Sequence, residues 1–269
     1  MTDTRAATAP QPSIGLALRS LLTADLQVML RARQTFVLNL FVPLLILVVT
    51  SFAGSQQQGA AASQSRVALL GSAGFEIAMA ITFGLIASAL MGYSVTIARD
   101  REAGVFQRLR VAPVPTWAIM MSRLLVQFAA AVVTTIVVIV VGSIIHHVVF
   151  SAGAYLLIFA VAIFGAAMFL GIGQAIAGLI RSTTAVNAVG RVIYVVLILT
   201  GVLGSTGVLG HALQTVSNWS PVGALIIVFT GVLDLSSWSW AQTGAVLACA
   251  GYLVVFAGVG IRWFQWEAD

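Results

Sequence analysis

The residues best suited to chemistry are few, and most are spaced wrongly for it. The chain has three histidines, His146, His147 and His211. Zinc sites built on a helix place two histidines at i and i+4 on one face, whereas neighbours one residue apart point in different directions. No metal centre is expected from them. Cys249 is the single cysteine, which excludes an internal disulfide, a CxxC redox pair and a thiolate zinc cluster. Inside an apolar run it reads as a small hydrophobe. All thirteen Lys/Arg positions are arginine. The phosphate-binding loop GxxxxGK[ST] requires its lysine, so this chain is no P-loop ATPase. Glu76 stands at the start of an apolar run, where it would pair with Arg66 or face water. Asn218-Trp219-Ser220 has the form of a glycosylation sequon, but Pro221 follows and the match carries no weight.

One stretch stands apart. "RDREAGVFQRLRVAPVPTW", Arg99 to Trp117, sets two acids, four arginines and two prolines between long apolar runs. Val105, Phe106 and Leu109 fall on one helical face, with Arg101 and Arg108 beside the stripe and Gln107 and Arg110 behind it. Asp100 and Glu102 stand at the start, where a helix dipole favours acids. Pro113 and Pro115 end the helix, because proline lacks an amide donor and disfavours helix in the residue before it. The expectation is a short, rigid amphipathic helix over about 99–113, whose apolar face needs a lipid or protein partner. A loop that merely carried positive charge would explain the arginines, but not the acids, Gly104, the apolar face or the prolines.

The elements that hold this island must lie in a membrane. The 269-residue chain is 60% hydrophobic and 8% charged, with a mean hydropathy of +1.05, against about 25% charged residues in soluble domains. Charge-free runs at 34–53, 77–98, 124–145, 152–180, 192–210 and 241–261 each approach the roughly 20 residues of a transmembrane helix. The pattern predicts an all-α polytopic membrane protein with six transmembrane helices. Pro221–Leu233 is apolar but too short to cross, so about 218–233 is expected to form a re-entrant or interfacial element before the last span.

Arginines collect on the cytoplasmic side of a membrane. Six spans gather Arg5, Arg19, Arg31, Arg33, Arg99, Arg101, Arg108, Arg110, Arg123, Arg181, Arg191 and Arg262 on one side and leave Arg66 on the other. Both termini are therefore expected in the cytoplasm. Topology accounts for the net charge of +5 without a nucleic-acid partner. The polar first thirteen residues do not read as a cleaved signal peptide. Ahead of the first span, Ile14, Leu18, Leu21, Leu22 and Met29 share a face opposite Arg19, Thr23, Gln27 and Arg31. That predicts an amphipathic helix in the interface plane, with Asp25 intruding on its apolar face. The layout is a cytoplasmic N-terminus with that helix (1–33), a six-span domain (34–262) and a cytoplasmic tail (263–269). Within the fourth run, Ala167, Gly171 and Ala175 recur every four residues, with Gly165, Gly173 and Gly178 around them. Such small residues let helices approach closely, within one subunit or between two.

With this topology, "REAGVFQRLRVAPVP" resembles the loop between the second and third spans of ABC-2 type permeases, the membrane subunits of a class of ATP-driven exporters. The family's pattern is Arg-Glu-x-Gly, a run ending in Leu, and a Pro a few residues on. It falls on Arg101, Glu102, Gly104, Leu109 and Pro113. The resemblance covers nearly the whole chain, including the helix before span one, the Gly-rich "LTGVLGSTGVLG" and the following "SNWSPVGALIIVFTGVLD". It departs at Ser122-Arg123, where the family has a Gly-Lys-like pair.

The resemblance implies a coupling helix that seats Val105, Phe106 and Leu109 in a groove of a separate ATPase subunit, with Arg101, Glu102 and Arg108 as polar anchors. It also implies two ATPase subunits that bind ATP and Mg, a second permease subunit (identical or related), and no cofactor on this chain. A substrate path lined by spans one, two and five would draw on Asn39, Tyr93, Tyr194 and Thr200, residues that serve equally well in helix–helix hydrogen bonds. The location implied is the plasma membrane of a bacterium. The lead-in to span one looks closer to exporters of drugs and lipids than to those of lipid-linked glycans. An ion-coupled secondary transporter would want acids or histidines near the bilayer midplane, and the six runs contain none. A membrane-embedded enzyme would want a nucleophile–base pair or a metal cluster there, and neither is present in the sequence.

Overall fold

The computed structural model describes residues 14–31, 33–57, 73–105, 116–206, 210–233, 235 and 238–263. Among these, every regular element is a helix. α1 (Ile14–Arg31) leads into α2 (Arg33–Gln57). α3 (Ala73–Glu102) is 30 residues long and is α-helical except for a π-helical stretch at Ile86–Gly92. α4 (Thr116–His146), α5 (Ala152–Leu179) and α6 (Thr183–Thr206) follow. Two short helices, α7 (His211–Trp219) and α8 (Pro221–Leu233), precede α9 (Trp240–Arg262).

Among the described residues, five stretches are long and apolar enough to cross a bilayer: Ala73–Glu102, Ala118–His146, Ala152–Leu179, Thr183–Val202 and Trp240–Arg262. They take in the runs read as spans two, three, four and six. The fifth starts at Thr183 rather than 192, because α6 continues through the exposed Arg191, and a charge-free criterion stops there. The remaining run lies on α2, a helix of 25 residues, within which Leu40–Phe52 is apolar among the described residues.

α3 occupies the centre. Every residue from Glu76 to Leu90 is buried, and α2, α4, α5 and α8 pack around it. A helix apolar on all sides belongs in such a place. The small residues of α5 are used within the subunit. Gly171 lies against the α9 backbone at Leu253 and Ala257, and a Cβ on Gly173 would stand 2.9 Å from the Leu90 carbonyl of the π-helical stretch.

Sequence also explains the hairpin of α7 and α8. Ser220 Oγ donates to the Ser217 carbonyl at 2.6 Å and accepts the Gly223 N–H at 3.1 Å. Pro221 takes the first helical position, where its missing N–H costs nothing. α8 is buried through Val222–Ile226 and packs on α3, α5, α6 and α9. Protein thus surrounds this short apolar helix, the condition under which a non-crossing segment is tolerated at membrane depth. α2, α6 and α9 carry their exposed apolar side chains outward, among them Phe41, Val192, Val196, Leu247 and Val254. A bilayer accepts such faces.

Candidate functional site

α3 continues past its apolar run and carries Arg99–Glu102 on its last turn. Gly104, at φ +67°, ends it: the Ala103 N–H bonds the Arg99 carbonyl at 2.9 Å and the Gly104 N–H bonds the Arg101 carbonyl at 3.1 Å. A glycine in the left-handed region is a common helix stop. Helical geometry resumes at Val105, which is half-buried. The single helix expected over 99–113 is thus divided, and this corrects the reading of its acids. Asp100 and Glu102 sit at the C-terminal end of a helix, where the dipole disfavours negative charge, so each needs a partner elsewhere. Phe106, Arg108, Leu109 and Pro113 lie outside the described residues.

Arg101 is buried. Its guanidinium donates to the Ala177 carbonyl and, at 3.2 Å, to the Ile180 carbonyl, where the last turn of α5 leaves acceptors unused and a cation is favoured. Glu102 is exposed and accepts the N–H of Thr183 at 2.6 Å. Thr183 opens α6, and a carboxylate is favoured at a helix start. Adjacent side chains of α3 therefore hold both sides of the α5–α6 turn. Sequence alone assigned them as anchors for another subunit; in the structure both are engaged within the chain.

Asp100 has a different partner. Arg123 of α4 places Nη1 3.1 Å from Asp25 Oδ1 and Nη2 3.0 Å from Asp100 Oδ2, with the Arg123, Asp25 and Asp100 side chains only 14%, 10% and 19% exposed. Ser122 Oγ donates to Asp25 Oδ2. The carboxylate that seemed out of place on α1 and the Ser122-Arg123 departure from the family pattern are therefore each other's partners. Leu18, Leu21, Leu22 and Met29 are part-buried around Asp25, while Arg19, Thr23, Gln27 and Arg31 are exposed. The expected apolar face of α1 is the one turned to α4. Beside the cluster lies a cavity of about 230 Å³, lined by residues of α1, α3 and α4 that include Asp25, Tyr93, Arg99, Asp100, Arg123 and Gln127.

Three of the four expected path residues have described side chains, and each has its own surroundings. Tyr93 is buried and its hydroxyl donates to Gln174 Oε1 of α5. Tyr194 is half-buried on α6, and its hydroxyl has no hydrogen-bond partner among the described residues. Thr200 Oγ1 donates to the Val196 carbonyl at 2.6 Å, and the Thr200 carbonyl accepts from Ser217 Oγ at 2.7 Å. Asn39 lies on α2, with its side chain outside the description. Of these, only Tyr93 lines the cavity. Gln127 spans to the π-helical stretch, its amide donating to the Ser88 carbonyl.

At the other end of the bundle Glu76 is 2% exposed. Its Oε2 accepts from Ser51 Oγ at 2.8 Å and lies 3.2 Å from His146 Nε2, which is itself 3.1 Å from Ser51 Oγ. Glu76 therefore does not face water. Its contacts are with Ser51 and His146, while Arg66 lies outside the described residues. The signal was present in the sequence: Glu76 begins one span and His146 ends the next, so antiparallel neighbours bring them to one level. No group of three or more potential metal ligands forms among the described residues.

A family model described as ABC-2 type transporter matches residues 17–233. No individually curated protein matches the chain. Membrane subunits of this kind lack an ATPase and rely on a partner ABC subunit to hydrolyse ATP. The matched region runs from α1 to the end of α8 and includes both the Arg123 cluster and the charged end of α3. Since the match covers most of the chain, this protein belongs to the ABC-2 type transporter family, as a multi-pass membrane permease subunit.

Proposed function

We propose that the chain is the permease half of an ATP-driven exporter that moves an amphipathic drug-like or lipid substrate out of the cytoplasm or inner leaflet. In this reading α2 is the first of six spans, α8 is re-entrant, and α1 lies in the inner interface with both termini cytoplasmic. Two such subunits, identical or related, work with two ATPase subunits in a bacterial plasma membrane. Residues of about 99–113, broken at Gly104, form the coupling element. The observation that carries the reading is the fastening of Arg101 and Glu102 to the α5–α6 turn. Motion imposed on the loop beyond Gly104 passes to α3 along the chain and to α5 and α6 through two side chains. Val105, Phe106 and Leu109 supply the docking face, while Arg101 and Glu102 act as positioning residues.

The test is reconstitution with the cognate ATPase subunit in vesicles. Wild type should extrude a fluorescent amphipathic cation and show substrate-stimulated ATP hydrolysis, and the chain alone should hydrolyse none. Leu109→Asp puts an acid without a partner into an apolar groove, where burying even a neutral polar group unpaired costs roughly 2–7 kcal/mol and a charge more. It should abolish stimulation while membrane insertion stays normal. Arg66→Ala is the control and should change little. A Leu109→Asp protein that transports like wild type would reduce the loop to a topology signal and sink the proposal.

A further inference from the structure

The cavity between α1, α3 and α4 is small and carries its charged lining at one end. Its volume of about 230 Å³ falls below the roughly 300–1,000 Å³ of pockets that enclose a drug-sized molecule. It has room for the polar end of an amphiphile and not for the whole. Along α4 its lining runs from Arg123 through Val126, Gln127 and Ala130 to Thr134, about three helical turns or roughly 16 Å. Charge is concentrated at the Arg123 end, with Asp25, Arg99 and Asp100. Val28, 59% exposed, and the exposed Arg99 stand at the rim.

The charges there are not all consumed. Arg123 serves both acids, and Asp25 also accepts from Ser122. Asp100 Oδ2, 3.0 Å from Arg123 Nη2, is sealed within the protein, but the side chain as a whole is 19% exposed, so the acceptor capacity that Asp100 keeps lies at Oδ1. Arg99 has no ion-pair partner among the described residues. Among the described residues the wall thus offers one cation without an ion-pair partner and one under-used carboxylate, which together complement a zwitterion. A primary ammonium can donate hydrogen bonds to a carboxylate, whereas a quaternary one has no N–H to give.

We propose that this cavity holds the headgroup of a resident aminophospholipid from the leaflet on which α1 lies. Its ammonium would rest on Asp100 and its phosphate on Arg99, with the acyl chains outside. The lipid would fasten α1 to the bundle and would not be cargo.

The test is lipid retention by the full-length protein, taken from mixed vesicles of phosphatidylethanolamine, phosphatidylcholine and phosphatidylglycerol and read by native mass spectrometry. Phosphatidylethanolamine should be retained about tenfold over either competitor, the loss of one charge-assisted hydrogen bond being worth about that factor. Arg99→Gln changes an exposed side chain, threatens no packing, and should lower retention about tenfold. Val126→Trp should block the slot. Retention equal for phosphatidylglycerol, or unchanged in both variants, would overturn the site. In the assembled transporter, ATP turnover should leave the lipid in place, and emptying of the site would make it cargo and refute residence. Because the readout is bound lipid, failure here is distinguishable from failure of the exporter proposal.

Discussion

Arg123 holds Asp25 and Asp100 where little water reaches, and a guanidinium shared by two carboxylates is hard to dismantle from either side. Removing one partner of a buried pair costs about 3–5 kcal/mol. Here the groups are partly wet, so Asp25→Ala should cost about 2–4 kcal/mol, read as a lower Tm in detergent and as faster proteolysis next to α1. Arg123→Lys keeps one charge but cannot fork to both acids, and should fall between wild type and Asp25→Ala. At the opposite end, His146→Ala leaves Glu76 buried with Ser51 alone, for a loss of about 1–3 kcal/mol. His211→Ala, at an exposed position, should be neutral in the same melt. Part of this was legible in the sequence. A carboxylate on an apolar face announces a missing partner, and Asp25 did so. Arg101 gave no such sign, because arginines at that end of a span already satisfy the topology rule, and burial leaves no trace in residue type.

Among the elements, the turn between α7 and α8 is the most tightly specified. A Cβ on Gly223 would lie 1.9 Å from the Ser217 carbonyl, which neither side can relieve without unwinding the turn. Gly223→Ala should therefore destabilise by about 3 kcal/mol or more. Gly251→Ala is the matched comparison: nothing lies within 4 Å of its Cβ, and added helix propensity makes it neutral or slightly favourable. Thermal melts of the two variants would separate packing from propensity. Hydropathy located the long helices because one physical quantity, apolar length, defines a span. It placed the start of α6 too late, since one exposed arginine is no obstacle to a helix near an interface. The π-helical stretch was not legible at all. It is met by Gln127 and Gly173 from other helices, and the local sequence of α3 carries no period that reports it.

For the whole molecule, the decisive question is which helices cross. Engineered cysteines at 147, 211 and 239 should react in intact cells with a membrane-impermeant maleimide. Those at 104 and 182 should react only after permeabilisation. Cys249 is buried, so the background should be low. Labelling of 211 and 239 from opposite sides would make α8 a crossing helix and reverse the orientation of α9. The apolar faces left outward on α2, α6 and α9 are ordinary in lipid. Sequence composition established that the molecule needs such a solvent, but not which of those faces meets lipid and which meets a second subunit.

The N–H of Thr183, on which Glu102 rests, has a consequence for genetics. A screen for transporters that hydrolyse ATP without moving substrate should return alleles at a position that contacts neither nucleotide nor cargo. Proline at 183 deletes the donor yet is welcome at the first position of a helix, so the protein should accumulate normally and fail only in coupling. Alanine at 183 keeps the N–H and should escape notice. Such an allele would be recessive to inspection of side chains, since the lesion is one missing main-chain hydrogen.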